Sequence, residues 1–142
     1  MTRKTTLPRD ACPNCATLML DRKGKLHKRV NGEDIAVSNV PHLRCPRCRE
    51  IVLRFEDMRS LEIQAIEIYR TKYRLLPAAE IRALRERLGV TQARLARLLR
   101  LGGNTLSRWE AGRNVQTASM DVLLRLVRDV PGSLKYLRNR SA

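Results

Sequence analysis

The sequence predicts an α+β chain. A small N-terminal zinc-bound β-sheet module with a long helix comes first, then an all-α five-helix helix-turn-helix domain. Three observations predict it. Two C-x-x-C pairs, Cys12/Cys15 and Cys45/Cys48, hold all four cysteines. The stretch between them contains short strand-like segments and an Asn31-Gly32 hairpin signal. Beyond Asp57 the apolar spacing changes to the three-and-four period of helices. The expected division is a flexible tail over 1–11, a zinc-binding module with its long helix over 12–74, and a helix-turn-helix domain over 75–142.

The bulk numbers narrow the function classes. The chain has 142 residues, enough for one average domain or two small ones. Hydrophobic residues make up 43% but aromatics only 4%, so the cores are aliphatic. No apolar run approaches the roughly 18 residues of a membrane span, and the charged N-terminus lacks the apolar segment of a secretory signal. The expectation is a cytoplasmic protein with no membrane partner. Net charge is +15, from 29 basic and 14 acidic residues. Residues 1–68 carry +4 and residues 69–142 carry +11. An excess on that second half suits a nucleic-acid backbone.

Cys12-Pro13-Asn14-Cys15 and Cys45-Pro46-Arg47-Cys48 present four soft ligands in two knuckles, which suits tetrahedral zinc. One structural Zn2+ per chain is expected, with no open position for catalytic water. Disulfides do not suit a cytoplasmic protein, and a redox motif needs only one pair. Neither His27 nor His42 is followed by x-Glu, so a zinc deaminase pattern is absent. His27 and His42 are alternative ligands, but with four cysteines available both are expected at surface or packing positions. Between the knuckles, strands are expected over 17–20, 26–30 and 35–40, with a type I′ turn at Asn31-Gly32. Residues 51–55 are expected to add a last strand ending in Phe55. A helix over about 57–73 carries more apolar residues than one narrow stripe, so it packs between domains or offers a surface to a partner.

Pro77 opens the next helix, which Gly89 ends. Thr91 is the N-cap of the following one, to about Arg100, with Leu95, Leu98 and Leu99 on its buried face. Gly102 and Gly103 are expected to make the turn. A second short helix restarts near Asn104, burying Leu106 and Trp109 and ending at Gly112. Asn104 and Arg108, four apart on its outer face, suit adenine and guanine edges in a major groove. Thr105 and Ser107 flank them as DNA-facing candidates, and Gln92 at the start of the preceding helix is expected to touch a phosphate. The alternative is a helical hairpin with a solvated polar face. Thr117 caps a helix burying Met120, Leu123, Leu124 and Val127, and Ser133 caps a final one. One recognition helix reads too few bases alone, so palindromic double-stranded DNA and a homodimer are expected. Leu126, Val130, Leu134 and Leu137 of the last two helices are the dimer candidates.

Thr91-Gln92, Leu95-Ala96 and the run Leu106-Ser107-Arg108-Trp109-Glu110 before Gly112 resemble the Cro/repressor-type (Xre) helix-turn-helix family. Arg100 with Gly102-Gly103 departs from that family's usual turn. The two C-x-x-C pairs, the hairpin, the long helix and Gly103-Asn104-Thr105-Leu106-Ser107-Arg108 together resemble the MqsA-type antitoxins, in which a YgiT-type zinc finger precedes an Xre domain. That resemblance implies an antitoxin, not an enzyme. It implies a zinc module that binds a ribonuclease toxin protein, and a helix-turn-helix domain that dimerises and represses its own operon. The family's base-reading Asn and Arg fall on Asn104 and Arg108. The alternatives are a zinc-containing transcriptional regulator with no toxin partner, and a redox protein or enzyme using the cysteines.

Overall fold

The computed structural model describes residues 8–141. In chain order it contains β1 (Leu20–Val30), β2 (Glu33–Arg44), β3 (Ile51–Val52), α1 (Phe55–Lys72), α2 (Ala78–Arg87), α3 (Gln92–Leu98), α4 (Thr105–Glu110), α5 (Ala118–Asp129) and α6 (Ser133–Arg140). Two compact units divide it, one ending at Leu61 and the other beginning at Glu62. The observed class is therefore the expected α+β arrangement, a small sheet followed by helices. The division falls inside α1 rather than at Leu75-Pro77.

The first unit is an antiparallel sheet in the order β1-β2-β3. Asn31 and Gly32 both take positive φ, 48° and 81°, and Val30 pairs with Glu33, which makes a two-residue hairpin. The strands run longer than expected, with pairing from Val30↔Glu33 to Leu20↔Arg44. The register shifts between Gly24 and Leu26, opposite Asn39 at φ 57°. That extra residue resets the alternation of β2: Ile35 and Val37 are buried before it, Val40 and His42 after it.

Three expectations change here. The strand over 17–20 reduces to an isolated bridge between Ala11 and Leu18. Phe55 is not in a strand. It begins α1 and is 71% exposed, because Glu56 and Asp57 supply the first-turn negative charge that favours a helix start. Residues 1–7 of the expected tail lie outside the described residues. Residues 8–11 are tied down: the Ala11 amide donates to Pro8 O, the Met19 amide to Asp10 O, and the Asp10 carboxylate lies 3.7 Å from Arg54. An anchored approach holds the first knuckle closed.

In the second unit α2 to α6 are the expected five helices, and the C-terminal part of α1 belongs with them. Their core is Leu76, Ile81, Leu84, Leu95, Leu99, Leu106, Trp109, Leu124 and Val127 with their neighbours. Ala65 and Ile66 of α1 are buried as well. This accounts for part of the apolar excess on that helix, while Met58, Ile68 and Tyr73 stay exposed. Thr91 and Thr117 are side-chain N-caps, accepting from the amides of Arg94 and Met120. Ser133 is not one. Gly132 occupies the N-cap of α6, and the Ser133 hydroxyl donates back to Leu126 O and Val130 O at the end of α5.

The turn between α3 and α4 also differs. Gly102 and Gly103 take no positive φ, whereas Arg100 does, at 56°. The Leu101 amide bonds back to Ala96 O at 2.8 Å. This closure places Leu101 against the core and fixes the left-handed residue immediately after the C-cap. Gly112, by contrast, has φ 70° as expected, and a Cβ there would lie 3.3 Å from Ile63 Cγ2.

Candidate metal centre and nucleic-acid interface

The two knuckles have the same local build. The Ala16 amide donates to Cys12 O at 2.9 Å and the Arg49 amide to Cys45 O at 3.0 Å. Each turn then exits through a left-handed residue, Ala16 at φ 60° and Arg49 at φ 64°. The β1–β2 hairpin brings the knuckles together, since Leu20↔Arg44 pairing sits beside Cys45. All four Sγ atoms lie within 4.8 Å of one another. Cys15 Sγ is 3.4 Å from Cys45 Sγ and 3.7 Å from Cys48 Sγ, and Cys12 Sγ is 3.5 Å from Cys48 Sγ. A tetrahedral ion with Zn–S bonds of about 2.3 Å requires sulfur separations of about 3.8 Å. The four thiols therefore lie close enough to hold a metal ion, and their spacing fits zinc.

The electrostatics shift two thiols of the set in opposite directions. The Thr17 hydroxyl, 3.3 Å away, and then the Thr17 backbone amide pull Cys15 down to about 6. For Cys48 the Glu50 backbone amide pulls downward. Desolvation and the three neighbouring thiols outweigh it and push Cys48 up to about 12. Four thiolates this close ionise together only around a cation. The histidines stand apart from this set. His27 is exposed, and His42 is buried with Nδ1 2.9 Å from Val40 O.

On α4, Leu106 and Trp109 face inward. Asn104 sits at the N-cap but makes no side-chain cap bond, so its amide is free. Asn104 and Arg108 are exposed, and neither side chain is hydrogen-bonded among the described residues. Thr105 and Ser107 are half-buried, and the Ser107 hydroxyl donates to Asn104 O. Gln92 is more committed than its position suggested. Its amide donates to Glu110 Oε2 at 2.7 Å.

That bond belongs to a brace the sequence reading missed. Glu110 is the one acidic residue between Leu88 and Asn114. Its side chain is 4% exposed, and Arg85 donates to it from Nε at 2.6 Å and Nη2 at 3.1 Å. The brace neutralises Glu110 and ties α2, α3 and α4 together. Arg94, Arg97, Arg100, Arg108 and Arg113 remain exposed, with no ion pair among the described residues. The exposed charged side chains between Leu88 and Asn114 are therefore all positive.

A second missed network lies behind α4. Arg70 of α1 is 1% exposed. Its guanidinium donates to Gln116 Oε1, Trp109 O, Asn114 O and Glu67 Oε1. Gln116 in turn donates to Leu76 O and Asp121, and Asp121 accepts from the Leu76 amide at 2.7 Å. Nothing in the spacing of α1 marked Arg70 as interior, because its neighbours Arg74 and Lys72 are ordinary exposed cations.

The chain shares 36% identity over 58 residues with a protein named Antitoxin HigA-2 from Vibrio cholerae serotype O1 (strain ATCC 39315 / El Tor Inaba N16961), which is 41% of this chain and 56% of that protein. The chain thus spans about half the length of that curated relative. A family model described as the antitoxin component of bacterial toxin-antitoxin system, MqsA, matches residues 10–138, both knuckles and the helix-turn-helix included. The chain belongs to the MqsA antitoxin family.

Proposed function

We propose that this antitoxin binds a ribonuclease toxin through its zinc unit and represses its own operon as a homodimer on palindromic DNA. The observation that carries the DNA half is the outer face of α4. Asn104 and Arg108 are exposed at four-residue spacing with no side-chain partner among the described residues, and Glu110, the one acidic residue between Leu88 and Asn114, is sequestered by Arg85. Asn104 and Arg108 read bases, Thr105 and Ser107 line the contact, and Gln92 offers its remaining amide hydrogen to a phosphate. Homodimer formation is supported by a cavity of about 430 Å3 between α5 and α6, lined by Leu123, Leu126, Val127, Val130, Tyr136 and Leu137 among others. Tyr136, Leu126 and Val130 are exposed beside it.

The toxin half is supported by the first unit. β1 pairs only with β2 among the described residues, which leaves an 11-residue strand edge for a partner sheet to extend. Leu18, Leu20, Ile51, Phe55 and Met58 are exposed apolar residues of the same unit. Cys12, Cys15, Cys45 and Cys48 hold one structural Zn2+, which supplies a cross-link in place of a larger core. A tetrathiolate site has no open position, so the protein acts by binding rather than catalysis. The protein works in the cytoplasm, where it meets both the toxin and the operon. No helix among the described residues is long and apolar enough to cross a membrane.

Co-expression of the full chain with the product of the adjacent gene tests the toxin half. Growth rescue with a co-purifying complex is expected. Rescue by nothing, or an adjacent gene that is harmless, leaves a zinc-containing repressor with no toxin. For DNA, Asn104→Ala and Arg108→Ala each lose about 1–3 kcal/mol of specific binding without loss of fold. Variants that keep wild-type discrimination between operator and random duplexes refute the assignment.

A further inference from the structure

Four helices of the second unit end by the same device. After α1, α2, α3 and α4 a residue with positive φ turns the chain: Arg74 at 54°, Gly89 at 65°, Arg100 at 56° and Gly112 at 70°. The next amide then bonds back to the carbonyl five residues before it, from Leu75 to Arg70, Val90 to Arg85, Leu101 to Ala96 and Arg113 to Arg108. The left-handed position of this closure favours glycine, because a Cβ crowds the following carbonyl. Two of the four positions have glycine and two have arginine. At Arg100 the choice is conspicuous, since Gly102 and Gly103 follow within three residues and take no positive φ.

Side chains kept at strained positions point to a task for the side chain. Arg100 is exposed and its side chain has no partner among the described residues. It shares the lining of a cavity of about 220 Å3 with Arg140, also exposed and without a side-chain partner among the described residues, and no acidic side chain among those residues lines that cavity. Two guanidinium groups on one lining without a carboxylate favour an anion there. A guanidinium fork matches phosphate oxygens, and the turn joins the helix that crosses a DNA backbone to the helix that enters its groove.

We propose that Arg100 is a phosphate contact of the DNA complex, held at a left-handed position where glycine would fold better. The proposal rests on the DNA-binding reading above. It makes the turn a place where stability is given up for affinity.

The test uses the full zinc-loaded chain, a short duplex from the promoter of its own gene and a scrambled duplex of equal length. Arg100→Gly raises Tm by about 2–5 °C. It also weakens binding about fivefold on both duplexes and makes the log-affinity against log-salt slope shallower by about 0.9. Arg100→Lys keeps the slope. Arg74→Gly relieves the same backbone conformation outside the helix-turn-helix, so it raises Tm while leaving affinity and slope unchanged. The proposal is overturned if the wild type binds DNA but Arg100→Gly retains its affinity and salt slope. It is equally overturned if Arg74→Gly loses as much binding as Arg100→Gly. A wild-type chain that fails to bind either duplex removes the DNA-binding reading itself, and this contact with it.

Discussion

Replacing Arg70 with Met destabilises the second unit while removing almost no buried volume. Arg70→Met takes a donor away from Gln116 Oε1, Trp109 O, Asn114 O and Glu67 Oε1. These acceptors are not equally exposed to the loss. Gln116 is 1% exposed and its Oε1 has no other donor among the described residues, so it bears the full cost. Trp109 O keeps the Gly112 amide at 3.2 Å. Asn114 and Glu67 reach water, since Asn114 is exposed and Glu67 partly so. One orphaned acceptor and one weakened one, at about 1–3 kcal/mol each, give a loss of about 2–4 kcal/mol after the desolvation of the charge is recovered. For a unit of this size that lowers Tm by about 10–20 °C. Trp109 is the single tryptophan and is 3% exposed in this unit, so its fluorescence in a urea titration reads the second unit alone. Arg70→Lys keeps the charge but not the fork and loses most of the same stability. Adding Gln116→Leu to Arg70→Met recovers part of the loss, because both partners are then apolar. A loss below about 1 kcal/mol in Arg70→Met, or strictly additive behaviour of the pair, would refute the reasoning.

Removing the metal with a strong chelator unfolds the first unit and leaves Trp109 fluorescence unchanged, with about one zinc released per chain by elemental analysis; a metal-free chain that keeps its sheet signal in far-UV dichroism contradicts this. Asp121 gives a pH signature. Burial pushes its carboxyl up, but the Leu76 amide, Arg125 and Gln116 outweigh that and hold it below the usual range. Its contribution is thus complete above the unfolded value of about 3.9 and fades as pH falls through the lower folded value. Asp121→Asn is less stable than wild type at pH 7, and the gap narrows in urea titrations below about pH 4; a gap of constant size shows that the carboxylate charge is immaterial. For the dimer, Leu126→Asp places a charge beside the α5–α6 cavity and converts the chain to a monomer in sedimentation, with DNA affinity falling accordingly. A dimer that survives this change has its contact elsewhere.

Patterns that repeat within a few residues were legible in the sequence. The two C-x-x-C pairs specify paired knuckles because four sulfurs at that spacing suit one ion. Asn31-Gly32 specifies the hairpin because both positions need positive φ. Thr91 and Thr117 specify helix starts because a hydroxyl satisfies an amide three residues on. The i, i+3, i+4 leucines of α3 and the Leu106/Trp109 pair fix which side of each helix is buried, and so leave Asn104 and Arg108 outside. What the tertiary structure alone decided depends on partners distant in sequence. Arg70 is interior only because Gln116, forty-six residues later, presents an acceptor to it. Glu110 is neutral in effect only because Arg85 on another helix faces it. Local rules place the turn at Gly102 and Gly103, yet Arg100 takes the left-handed conformation because packing the half-buried Leu101 against the core fixes where α3 must end. Local rules assign a residue its preferred conformation. Which residue must give up that preference is set by the packing of the whole unit, where the burial of one leucine outweighs the strain of one arginine.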